Sequence, residues 1–331
     1  MTETSAAALT ASAPAPVPPP PPGRGVRALP AVAVASCLPY IALKLVWIAG
    51  GRTCIPDGST LLENRAMMAV ANGVSVVLDA TVVVLALLLT QPWGRRVPAW
   101  LLALPMWVGT GLLAPIMTGY PLQLAASVVD GTRPAPSDSE PFLDAWVFGV
   151  VYSGFILQGL TLGALFVRYA RRRWGHLWRG ALSDVTTTTA VRATAAAGSL
   201  SALLPAGAHL LWAAGVTTGL SADRIDGRSA DFYLVEGVNG LFAVSAVVGT
   251  VLLAFRFPAA GGLSPRIPLA AAWVGSGTLG CWGGFLLLVT ALPTDPGRGA
   301  SGPMVLTYAV SMVAGFLLLS TVVSVLRRRA A

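Results

Sequence analysis

Lysine occurs once in 331 residues, at Lys44, and every other one of the 22 basic side chains is arginine. Charge of either sign is scarce. It makes up 11% of the chain, whereas a soluble domain carries about 25% because it must cover its surface with it. That shortage excludes a soluble globular protein. Three cysteines provide no disulfide framework, and no CxxC or Cys/His spacing suggests a metal site. Two histidines, His176 and His209, exclude a haem site of bis-histidine type. There is no P-loop, no HExxH, no GxSxG and no paired aspartate-rich motif of the kind membrane prenyltransferases carry. No cofactor is expected.

Apolar residues are abundant instead. They make up 55% of the chain, and the mean hydropathy is +0.71. A spanning helix needs roughly 20 apolar residues. Eight such runs are expected, at 28–50, 66–90, 97–118, 145–169, 192–216, 233–255, 268–292 and 303–326. Each run is continuously apolar, whereas barrel strands alternate over about 10 residues, so the runs read as helices. The fold class is all-α integral membrane, with the lipid bilayer as first partner.

A net charge of +8 suggests nucleic acid until the charges are placed. Fifteen arginines fall on one side of the eight-helix arrangement and six on the other, with Lys44 inside a run. Ten of the 14 acids fall on the arginine-poor side, among them Asp57, Glu63, Asp130 and Glu140. This is the positive-inside bias, which predicts both termini in the cytoplasm and an inner-membrane location. No nucleic acid is implied.

Residues 1–27, with APAPVPPPPPG at their core, read as a disordered cytoplasmic tail and not a signal peptide, since the first apolar run is long enough to span. The stretch from Gly119 to Asp144 reads as an external loop, in which PLQLAASVV lies along the interface. Arg171 to Arg179, with Trp174 and Trp178, reads as an anchor at the cytoplasmic interface.

The chain also repeats itself. WVGTGLL at Trp107 returns as WVGSGTL at Trp273, LKLVWIAG at Leu43 as AHLLWAAG at Ala208, and NGVSVV at Asn72 as NGLFAV at Asn239. Arg171–Arg173 match Arg327–Arg329. The predicted organisation is a four-helix repeat over 28–173, a linker over 174–191 and a second, parallel repeat over 192–331. Residues 28–169 should superpose on 192–326 by a rotation of about 180° around the membrane normal. Helix seams are expected at Gly159 and Gly163, and at Ser276, Gly280 and Gly284.

The candidate functional residues are the polar groups inside the runs: Lys44, Asn72, Asp79, His209, Glu236 and Asn239. An ionisable group at such depth costs about 2.5–3.5 kcal/mol on insertion scales, so it should be paired or line water. Lys44 is about 9 Å inside the membrane boundary, counting 1.5 Å per residue from Gly50. It should face the second run, touching Asn72 and directed toward Asp79. The alternative is snorkelling to the headgroups. The repeat puts His209 where Lys44 was, and Glu236 joins it one turn above Asn239.

LPYIALKLVW, Leu38 to Trp47, is similar to the opening helix of uncharacterised multi-pass membrane proteins from high-GC bacteria. The resemblance covers one helix and implies no activity. Three functions remain open: a transporter-like protein for a small solute using a polar layer between the repeats, a membrane enzyme using the same residues, and a non-catalytic subunit of a membrane partner protein. A closed, fully satisfied layer favours the subunit, a pocket open to one side the enzyme, and alternating access the transporter.

Overall fold

A computed structural model describes residues 24–56, 65–129, 145–255, 257–291 and 299–330. The tail as far as Gly23 and the segment from Asp130 to Asp144 lie outside the described residues. Eight helices are long and apolar enough to cross a membrane. They are α1 Arg24–Ile48, α2 Arg65–Thr90, α3 Ala99–Val129, α4 Ala145–Trp174, α5 Thr189–Ala213, α6 Ala230–Ala254, α7 Arg266–Thr290 and α8 Gly302–Ala330. No strand occurs among the described residues. With no water in the hydrocarbon core, each backbone must satisfy itself, and helices do so within one segment. Prolines inside α1, α3 and α5 are tolerated for the same reason, because neighbouring helices re-satisfy the freed groups.

Two boundaries differ from the sequence expectation: α1 already begins at Arg24, inside the stretch read as disordered tail, and α3 runs beyond its expected end. Gly119 to Val129 do not form a loop: they continue α3, through Pro121, to give a helix of 31 residues. At 1.5 Å per residue α3 is about 46 Å long, so its last turns pass the roughly 30 Å hydrocarbon core.

Within the first four helices, α1 packs against α2 and α4, and α3 packs against α4. The last four follow the same scheme, α5 against α6 and α8, and α7 against α8. The difference lies in the third member. α2 and α3 barely touch, while α6 and α7 pack closely, and α3 instead leans on α6 and α7. At that junction a Cβ on Gly111 would fall 2.1 Å from the Gly277 carbonyl oxygen, so no larger residue fits. Trp107, fully buried, donates from Nε1 to Ser276 Oγ at 3.1 Å. α7 and α8 cross as tightly, since a Cβ on Gly315 would come within 2.2 Å of the Gly280 nitrogen. Gly159 meets Met117 and Gly284 meets Met312, whereas nothing approaches Gly163.

The chain leaves α1 and α5 by the same turn. Gly50 and Gly215 both have φ +91°, where a side chain would be strained. Trp47 Nε1 donates to the Thr53 carbonyl at 2.8 Å, and Trp212 Nε1 to the Thr218 carbonyl at 3.0 Å. Cys54 has φ +64°, and Gly219, at the matching position, +86°. Ile55 and Leu220 then tuck under their tryptophans into buried apolar clusters.

On the opposite, arginine-rich face, Arg173 bridges helices. It donates to Tyr169 Oη at 2.5 Å and to the Val97 carbonyl at 2.9 Å, and Tyr169 donates to the Gly94 carbonyl at 3.0 Å. The anchor expected here is thus also a staple between the end of α4 and the turn joining α2 to α3.

Candidate functional site

All six polar residues singled out in the sequence are buried. They form two clusters, each enclosed by the helices of one half, and not a single layer between the halves.

In the first half Lys44 is 9% exposed and faces α2. Its Nζ donates to Ser75 Oγ at 3.4 Å, and Ser75 donates onward to the Ala71 carbonyl. The expected partner Asn72 is buried one turn away but is not the acceptor. Ser75 is nearer because the lysine stem runs back toward the α1 N-terminus, past the depth of Asn72. The ammonium also stands 4.6 Å from the Tyr40 ring centre and 5.5 Å from that of Trp47, which adds to the electrostatic attraction of the Asp79 carboxylate, with which it makes no direct ion pair. Snorkelling does not occur.

Asp79, one turn beyond Ser75, is held by a residue that the sequence reading did not single out. Gln158 of α4 donates from Nε2 to Asp79 Oδ1 at 3.2 Å and lies 3.3 Å from Cys37 Sγ. Asp79 Oδ2 is buried with no hydrogen-bond partner. A glutamine in an apolar run was itself a signal, since an unpaired amide in hydrocarbon is costly. A search limited to ionisable groups passes over it.

In the second half His209 of α5 and Glu236 of α6 meet directly. His209 Nδ1 and Glu236 Oε2 lie 2.5 Å apart, in hydrogen-bond contact, the one acid–base side-chain pair this close among the described residues. The imidazole packs edge-on against Trp212, with ring centres 5.3 Å apart. Asn239, one turn from Glu236, leaves its Oδ1 buried and unbonded.

These residues sit beside an irregularity in α7. Thr278–Trp282 forms one π-helical turn between two α-helical stretches. Such turns widen the helix and are frequent at functional sites. Here the turn borders a cavity lined by His209, Asn239, Thr278, Trp282 and Ser311. About 10 Å³ is open to the centre of a water, room for about one molecule. The arrangement places an imidazole held by a carboxyl, an amide and two hydroxyls around a space of that size. No group of three or more potential metal ligands occurs among the described residues.

Eight apolar helices with buried polar clusters define a multi-pass membrane protein. No protein-family model, curated protein or solved structure matches the chain.

Proposed function

We propose that the protein is transporter-like and moves a small solute across the inner membrane, with its binding site in the second half, beside the π turn of α7. The observation that carries this reading is the π turn of α7 where His209, Asn239 and Ser311 converge on a small cavity. Single π turns within a continuous helix are frequent at functional sites, because they re-aim side chains at the cost of regular hydrogen bonding. The orphaned oxygen of Asn239, a residue lining that cavity, supports the reading further. A buried acceptor without a donor costs about 1–3 kcal/mol, which a solute that donates to it would recover.

The same proposal takes the chain as two tandem four-helix repeats with both termini in the cytoplasm. The matching turns after α1 and α5 and the shared packing scheme support the duplication, and the arginine bias supports the orientation. A second reading, a non-catalytic partner subunit, is favoured by the first cluster, whose polar groups tie α1, α2 and α4 to one another.

The test is uptake into membrane vesicles from cells producing the protein, across a panel of labelled inorganic ions and solutes of a few heavy atoms, such as methylammonium and formate. At least one solute should enter faster than into vesicles carrying the Asn239→Ala variant at equal abundance. Equal uptake for every solute would leave the partner-subunit reading standing.

A further inference from the structure

At the arginine-rich face a cleft of about 870 Å³ opens between the two halves, where α3 and α7 begin and α4 and α8 end. Its walls are apolar and aromatic. Phe166 stacks on Trp273 with ring centres 5.7 Å apart, and Trp100, Trp174 and Trp178 line the remainder. Trp100 is 64% exposed and Ile267 75%, so the cleft opens sideways, along the first turns of α3 and α7. Tryptophan at helix ends marks the headgroup level of a bilayer.

Three arginines border this apolar space: Arg171 of α4, Arg266 of α7 and Arg327 of α8. No acid lines it. Their neighbours show how arginines behave here when the fold employs them: Arg173 is bound to Tyr169 and Val97, and Arg329 donates to the Arg179 carbonyl at 3.2 Å. The guanidinium groups of Arg171, Arg266 and Arg327 have no hydrogen-bond or ion-pair partner among the described residues. Arg171 and Arg327 come from corresponding ends of the two halves, so the cationic rim is contributed from both sides.

We infer that this cleft is a binding site for an anionic phospholipid, whose phosphate sits among Arg171, Arg266 and Arg327 and whose acyl chain lies along the tryptophan-lined wall. The charge is complementary to an acidic headgroup, and guanidinium is suited to phosphate because it donates two parallel hydrogen bonds. Basic pockets between helices at the cytoplasmic side recognise acidic headgroups by this chemistry. A zwitterionic lipid brings its own cation to the rim and loses that advantage. The bound lipid would bridge α4 of one half and α8 of the other.

The experiment is native mass spectrometry of the purified protein titrated with phosphatidylglycerol or phosphatidylcholine of the same chain length. The wild type should retain phosphatidylglycerol with at least tenfold preference. The combined variant Arg171→Gln, Arg266→Gln, Arg327→Gln should lose that preference through a weakening of about 100-fold. A control variant neutralising Arg95, Arg96 and Arg192, on the same face but outside the cleft, should keep it. Ala103→Trp and Ala270→Trp, which fill the cleft and leave the arginines intact, should displace the lipid. Equal retention of both lipids, equal losses in the control and cleft variants, or undiminished binding in the filled variants would overturn the site.

Discussion

The two halves of the molecule close their outer ends with the same turn and then fill their interiors differently. After α1, the indole of Trp47 holds the Thr53 carbonyl; after α5, Trp212 holds Thr218 in the same way. Beneath the first turn a lone ammonium is dispersed onto a hydroxyl and two aromatic rings, and Asp79 depends on an amide. Beneath the second, acid and base are paired directly, next to a cavity and an irregular helix. A turn can be kept while buried chemistry diverges because it depends on backbone geometry and one indole. This difference is the ground on which the proposed site is placed in the second half.

The largest expected effect would break that contrast most sharply. Glu236→Ala leaves a buried histidine without its partner and should cost about 3 kcal/mol of stability, as removal of one member of a buried pair does. Asp79→Ala should cost less, about 1–2 kcal/mol: Lys44 loses the attraction of that carboxylate, but it keeps Ser75 and two aromatic rings, and an orphaned oxygen disappears. Thermal unfolding in detergent micelles measures both, and a costlier Asp79 variant would reverse the contrast.

A middle-sized effect addresses the shared turn. Trp47→Phe and Trp212→Phe each remove one buried indole hydrogen bond and should each lower stability by about 1 kcal/mol. Losses differing by more than about twofold would mean that the turns are similar in shape but not in weight.

The smallest effect sharpens the same comparison. Cys54 occupies a left-handed conformation where the second half has Gly219. Cys54→Gly should therefore stabilise by about 0.5 kcal/mol, and Gly219→Ala should destabilise by about as much. A Cβ at Gly219 would also meet Pro303 at 3.1 Å. Opposite signs are the expected result.

The helices were legible in the sequence because continuous apolar runs of spanning length have few alternatives. The end of α3 was not, since the apolar run ends near Met117 while the helix continues through Pro121, whose ring breaks no more than one turn of backbone hydrogen bonds. Lys44 was correctly turned toward the second helix, yet its partner proved to be Ser75, because run positions fix depth while stem length decides which turn is reached. Gln158 was passed over for lacking a charge. The π turn left no trace that could be read: GSGTLGCWGG looks like a packing seam, and it is one, at Gly280 against Gly315. Its widened turn depends on how α7 meets α3 and α8 together, which no single run encodes.

The central claim, that the cavity beside the π turn opens in turn to the two sides of the membrane, is tested most directly at Ser311. This hydroxyl lines the cavity, and cysteine is close to it in size. In a protein whose Cys37, Cys54 and Cys281 are replaced by alanine, Ser311→Cys would be exposed to a small impermeant thiol reagent, in intact cells and in everted vesicles. The account expects labelling from both sides. Labelling from one side alone would indicate an enzyme-like pocket, labelling from neither a sealed scaffold, and either result would contradict it.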